Sequence, residues 1–437
     1  MRSETLTSML LIGCALGLFG CASYRAEPLP ALAEGRRPQA PAPPMTVTAV
    51  VAAALADNPD LRAARAQRGV AEAQRRQAGL LPDPTLSGAI LPLLAGVGST
   101  MAWNASLSED LRAVVTLKAR RAGAKAAFEQ VDAQLLWQEW QLAAQAELLA
   151  VQTIEGERAL AVLRQTQALF AARSERLQRA LAQGNVTLQA TAPDLAALQS
   201  AHAQIDAAER QQLARRHQLN ALLGREADAP LSLAGAADLP LLDLKQIDRL
   251  AAEMARRRPD LIALRLGYQA QEARTRAAVL TQFPLLNLGL TGGSDNSNVR
   301  NGGPQFTLAL PIFDGNRGDV AVQTATRAQL AAEYQARLQA AYGQIRAAVS
   351  ELNTAKRQLM ELRADLSGAQ RTADQAVRVF DSGALDELAY VDLLSARFAK
   401  QGEIIALEQT VLEQQAALIA LVGAGLPSID HLPDVAP

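Results

Sequence analysis

The chain reads as mainly α-helical with a small β part, arranged as two repeats of one long helical hairpin module. Three observations lead there. Asn58-Pro-Asp-Leu61 opens a pattern that starts again at Arg258-Pro-Asp-Leu261. Each copy then holds a pair of short alternating segments, followed by a long apolar seam that steps by threes and fours. Composition agrees: 49% of the 437 residues are hydrophobic but only 4% are aromatic, so Ala and Leu must pack helices closely instead of filling a thick core.

The first residues are read separately. Arg2 precedes an apolar stretch, residues 9–20, that ends at Cys21; this is an export signal, too short for an ordinary membrane span. Leu18-Phe19-Gly20-Cys21 resembles a bacterial lipoprotein box, in which the cysteine receives lipid after cleavage. Leu11-Ile12-Gly13-Cys14 also fits, but leaves a hydrophobic region of about five residues where about 7 to 15 are needed. Cys21 is therefore the expected anchor, and a plain cleaved signal is the alternative. With 2 cysteines in all, the mature chain has no internal disulfide. Ala22 and Ser23, with no Asp beside the cysteine, resemble the sorting pattern of outer-membrane lipoproteins. The expected organisation is a signal at 1–20, a Pro/Ala-rich tether at 21–45, a first repeat at 46–226, a linker at 227–243, a second repeat at 244–424 and a tail at 425–437.

Within each repeat the elements follow in order. Residues 46–76 read as helix interrupted at Asp57-Asn58-Pro59, because proline restarts a helix at its first turn. Residues 244–257, Pro259 and 260–278 repeat this. Strand pairs are expected at 85–93 with 102–107, and at 285–291 with 305–312, joined by surface loops at 94–99 and 292–303. Leu286, Leu288 and Leu290 alternate with Asn287, Gly289 and Thr291, as a lipid-facing barrel strand with a watery lumen requires. A soluble sheet with one buried face would show the same alternation. Four strands cannot close a pore, so the barrel reading demands several chains.

The long helices carry the clearest periodicity. From Tyr334 through Leu338, Ala341, Ile345 and on to Phe380 the apolar steps run unbroken, a coiled-coil seam. Copy one repeats it more weakly from Leu142 to Leu181. A helix over 112–181 would be on the order of 100 Å long. Gln183-Gly184-Asn185 and Asp381-Ser382-Gly383 break the rods, and return helices at 195–223 and 388–422 make each module an antiparallel hairpin.

Several functions are disfavoured. The 43 basic and 44 acidic residues balance to −1, so no basic face suits nucleic acid. Neither a nucleophile elbow nor a phosphate loop is present, so the chain does not read as an enzyme, and no cofactor is expected. His202, His217 and His431 lack metal-site spacing, and no metal site is expected.

Two copies of helix, strand, strand, long helix, tip and return helix, behind a lipoprotein-type signal, resemble the outer-membrane efflux channel family typified by TolC. The likeness runs over about residues 46–423 and includes Phe283-Pro284, Leu310-Pro-Ile-Phe-Asp314-Gly315 and Tyr390-Val-Asp-Leu-Leu394. It implies a homotrimer in which each chain gives four strands to a shared twelve-stranded outer-membrane β-barrel and packs its helices into a periplasmic α-barrel. It further implies a passive duct exporting drugs, toxic compounds or metal ions, lipid-anchored in the outer membrane. The implied partners are a periplasmic adaptor (membrane fusion protein) and an inner-membrane pump of the resistance-nodulation-division type. Copy one departs from the pattern at Leu107-Ser-Glu-Asp-Leu111, which leaves its strand end open. Both tips also run a few residues longer than in many relatives.

Asp392 matches the family's Val-Asp-x-Leu pattern near the periplasmic constriction, which makes it a gate candidate; capping the return helix is the alternative. Asp194 is its expected repeat counterpart, better placed beside Pro193 to cap than to gate. Gly184, Asn185, Gly383, Asp386 and Glu387 are candidates for adaptor docking at the tips, with Asp386 and Glu387 equally readable as a solvated turn. The competing readings are a periplasmic adaptor and a pore-less coiled-coil lipoprotein.

Overall fold

The computed structural model describes residues 24–29, 43–235, 237, 239 and 242–426. The chain divides into two compact units, Met1–Ala40 and Pro41–Pro437. In the first, residues 24–29 are exposed and carry no regular structure; Cys21 and Cys14 lie outside the described residues.

The elements of the second unit are α1 (Val47–Asp57), α2 (Pro59–Ala78), β1 (Thr85–Leu91), β2 (Ala102–Asp110), α3 (Leu111–Ala182), α4 (Leu188–Leu222), α5 (Leu244–Ala252), α6 (Met254–Arg257), α7 (Pro259–Leu280), β3 (Leu285–Ser294), β4 (Arg300–Ala309), α8 (Arg317–Asp381) and α9 (Glu387–Val422). At 1.5 Å per residue, α3 is about 108 Å long and α8 about 98 Å. The order helix, strand, strand, long helix, return helix occurs twice along the chain.

The residue before each opening proline explains the echo. Asn58 caps α2 by accepting from the Leu61 amide at 2.9 Å, while its Nδ2 donates to the Leu222 carbonyl at 3.0 Å. Arg258 makes no cap, yet its Nη1 donates to the Leu421 carbonyl at 3.2 Å. Each therefore satisfies an orphan carbonyl at the end of its own return helix and closes the module on itself. The arginine does more than the asparagine: it is buried, pairs with buried Asp260 at 2.8 Å and lies 5.2 Å over the Trp137 ring of α3. Copy two is thereby fastened to copy one.

The seam of α8 packs as expected, with Ala341, Ile345, Ala348, Leu352, Ala355 and Leu359 buried against Val411 and Leu418 of α9. The seam of α3 is wider than a single stripe. Ala150, Val151 and Ile154 are buried beside the expected Ala146 and Leu149, because α1, α2, α4, α7 and α9 all pack on this helix. A rod surrounded by neighbours is apolar on several sides, which blurs its period.

The four strands form one antiparallel sheet in the order β1-β2-β3-β4, so the two hairpins join through β2 and β3. Register aligns Leu86 with Leu107, Leu107 with Leu290, and Leu288 with Phe306. Several boundaries differ from expectation, among them the end of β1 at Leu91 instead of the expected residue 93. The loop expected at 292–303 shrinks to residues 295–299, since Gly292 pairs with Gly302 and Gly293 with Asn301. Ladder pairing uses the backbone, and a glycine-rich composition does not prevent it. The turn is held by Asp295 Oδ1, which accepts from the Ser297 and Val299 amides at 2.8 Å each. Residues 310–312, expected in a strand, lie beyond the end of β4 at Ala309, where Pro311 lacks the amide a ladder needs. In copy one, β2 runs on to Asp110, whose carboxylate caps α3 through the Arg112 amide at 2.8 Å.

Candidate functional site

The tips of the two hairpins bring together the predicted site residues and two arginines that the sequence reading missed. Both tips have the same construction. Gly184 and Gly383 adopt left-handed backbone at φ +76° and +77°. The amides that follow fold back on the helix ends, Asn185 to the Ala180 carbonyl at 2.9 Å and Ala384 to the Val379 carbonyl at 3.0 Å. This is the Schellman arrangement, which needs a residue without Cβ at that point. Three residues on, Thr187 and Asp386 cap the return helices, the latter accepting from the Ala389 amide at 2.9 Å.

That capping corrects three expectations. Neither Asp194 nor Asp392 caps a helix, since both stand inside α4 and α9. Asp386, read as part of a solvated turn, is the cap of α9, and Glu387 is ion-paired with Arg176 of α3. Nor are Asp194 and Asp392 structural counterparts. Asp194 is ten residues beyond Gly184, and Asp392 nine beyond Gly383. One residue turns a helical side chain by about 100°, so the two point in different directions. Pro193 sits where Asp392 does, accommodated inside α4 just past its first turn.

Arg173 collects the carboxylates. Its Nε and Nη2 donate to the two oxygens of Asp194, the latter at 3.2 Å, and both side chains are largely buried. The Asp194 hydrogen bond raises the Arg173 pKa, burial opposes this, and the charges of Glu387 and Asp392 add to the rise. Asp392 itself is exposed. Above the tip of copy two, the Phe380 and Tyr390 rings stack at 4.3 Å between centroids and 16° between planes, closing the hairpin. A signal for Arg173 was present in the sequence: it stands almost as far before Gly184 as Asp194 stands after it. Residues equidistant from the turn of an antiparallel hairpin are neighbours.

No metal-binding cluster of His, Cys, Asp or Glu occurs among the described residues. His202 contacts Gln167 at 3.1 Å, His217 is half-buried, and His431 lies outside the described residues.

The other candidate surface is the sheet. Leu86, Ile90, Trp103, Leu107, Leu288, Leu290, Phe306 and Leu308 share one face by register, and every one is exposed. The opposite face carries Ser87, Asn104, Ser106, Asn287, Thr291, Gln305 and Thr307. A sheet packed on a soluble core would bury its apolar side, and this one does not. At Gly289 and Gly293 an added Cβ would stand 2.3 Å from the Leu107 carbonyl and 2.6 Å from that of Trp103, so strand approach there requires glycine.

Long paired helical hairpins here carry a sheet with one apolar and one polar face. Residues 250–424, which lie in the second repeat, match the outer membrane efflux protein family. Outer membrane protein OprJ of Pseudomonas aeruginosa is 28% identical over 183 residues, which make up 40% of this chain. The chain spans 38% of the length of that curated relative. Among solved structures, a membrane protein from Pseudomonas aeruginosa superposes with a TM-score of 0.72 at 22% identity, covering 86% of this chain and 90% of the other. The outer membrane protein VceC of Vibrio cholerae gives 0.71 at 16% identity, over 86% and 96%.

Proposed function

We propose that this chain is the outer-membrane channel of a tripartite efflux pump, a passive duct that carries small molecules to the exterior and performs no bond chemistry. One observation carries the reading: a four-stranded sheet with a largely exposed, mainly apolar face and two free edges, β1 and β4. Unpaired edges and bare leucines are stable together only in lipid and only when the ring is closed by other copies. Three chains give twelve strands, and their six hairpins form a ring beneath them.

The tips then face the periplasm, where a membrane fusion protein docks on Gly184, Asn185, Gly383, Asp386 and Glu387 and links the duct to a pump of the resistance-nodulation-division type. Asp392, exposed and near the tip, is the gate residue: three copies around one axis concentrate negative charge at the entrance. Asp194, tied to Arg173, latches the tip in place. Lipid on Cys21 anchors the chain in the outer membrane. An adaptor would carry one hairpin flanked by β-domains, and a pore-less lipoprotein would not expose a lipid-compatible sheet.

Conductance across a planar bilayer tests this. The purified protein should form channels, small at rest and several-fold larger with Asp392→Ala. No conductance from either protein would sink the duct, and equal conductance would remove Asp392 from the gate.

A further inference from the structure

Beneath the sheet, α2, α3 and α7 enclose an open cleft of about 420 Å³. Its floor is small and apolar: Gly123 lets α7 approach α3 so closely that an added Cβ would stand 3.3 Å from Ala273. Phe128 forms one side, with Arg75 stacked 4.8 Å from its ring centroid. Arg120 and Arg274 complete the lining, which includes no acidic residue.

These three arginines differ from several neighbours on the helices. Arg65, Arg68, Arg76 and Arg327 nearby all pair with carboxylates. Among the described residues, none lies within 4.0 Å of Arg75, Arg120 or Arg274 to neutralise them. Arg120 is further constrained: its Nη2 donates to the Ala113 carbonyl at 3.0 Å, while its Nε is buried without a partner. A buried donor left unmade is costly, and three guanidiniums round one cleft, of which only Arg75 feels a nearby carboxylate, Glu72, repel each other. An anion with several acceptor oxygens relieves both.

We infer that this cleft binds the phosphodiester headgroup of an anionic phospholipid. Its place in the fold selects lipid over a free anion. Arg120 is about 15 Å along α3 from the end of β2, and α2 and α7 each end a few residues before a strand. The exposed leucines reach those strand ends, so the cleft opens at or just below the headgroup layer of the periplasmic leaflet. Arginine forks match phosphate oxygens, and the alanine floor with Phe128 suits the glycerol and first acyl carbons. The assignment rests on the sheet entering a bilayer.

The test titrates phosphatidylglycerol and phosphatidylcholine into the full-length protein in detergent, with bound lipid counted by native mass spectrometry. Phosphatidylglycerol should be retained preferentially, and Arg75→Gln and Arg274→Gln should each weaken it by about tenfold. Arg371→Gln, on an exposed face of α8, should leave it unchanged. Three results overturn the proposal: equal retention of both lipids, undiminished phosphatidylglycerol in the Arg75→Gln, Arg274→Gln double variant, or its displacement by equimolar inorganic phosphate. Conductance of the same variants separates this from the duct. A protein that conducts and binds phosphatidylglycerol without these arginines loses only the lipid site; one that never conducts but needs them for binding loses only the duct.

Discussion

Asp194 and Asp392 illustrate how one residue of helical register changes what a side chain does. Asp194 turns inward to a buried guanidinium, while Asp392, one step different from its tip glycine, stays in solvent. Arg173→Ala should therefore cost about 3 kcal/mol, because it strands a largely buried carboxylate. Asp392→Ala should change stability by no more than about 0.5 kcal/mol. Chemical unfolding of the two variants checks the contrast. Glu155 gives a second prediction. Its side chain is buried in α3, paired with Arg158 at 2.6 Å. Burial raises its pKa, Arg158 opposes the rise, and Glu408 adds to it. The folded chain thus holds this proton at pH values where the unfolded chain has released it. Stability is greatest below the ordinary carboxylate value and declines as pH rises through the raised one. Glu155→Gln should lift the melting temperature by roughly 2 °C at pH 7 and leave it unchanged near pH 4.

At the scale of elements, glycine has two separate roles. Gly184 has open space around it, so Gly184→Ala meets only the backbone cost of left-handed geometry, about 1 kcal/mol. Gly289 has ordinary freedom but no room. Gly289→Val should prevent β2 from pairing with β3, seen as loss of heat-modifiable oligomer on gels, whereas Gly184→Ala should still assemble. The elements were largely legible in advance. Pro59 and Pro259 placed the helix restarts, and the seam of α8 emerged intact, since it faces chiefly α7 and α9. The glycine-rich ends of β3 and β4 were not legible. Their pairing lies in backbone amides, which leave no side-chain pattern.

Across the whole molecule, β1 and β4 are the free edges. Within one chain two strands separate them, about 14 Å of sheet, beyond the reach of a disulfide. Cysteines scanned along each edge from Ser87→Cys and Thr307→Cys should therefore link only different chains, giving a ladder that stops at three on non-reducing gels. A ladder ending at two, or continuing past three, contradicts the twelve-stranded ring.

The sequence by itself determined the duplication, the hairpins and the two-faced strands, because each is written as spacing: an echo of 200 residues, steps of three and four, steps of two. Asn58 and Arg258 marked the copies, but their shared bond to the carbonyls of Leu222 and Leu421 required the folded chain. So did the Arg173 pair, the divergence of Asp194 from Asp392, and the arginines of the cleft. Each depends on which side chains meet across helices far apart in sequence, and periodicity fixes the face a residue occupies without naming the neighbour that face will meet.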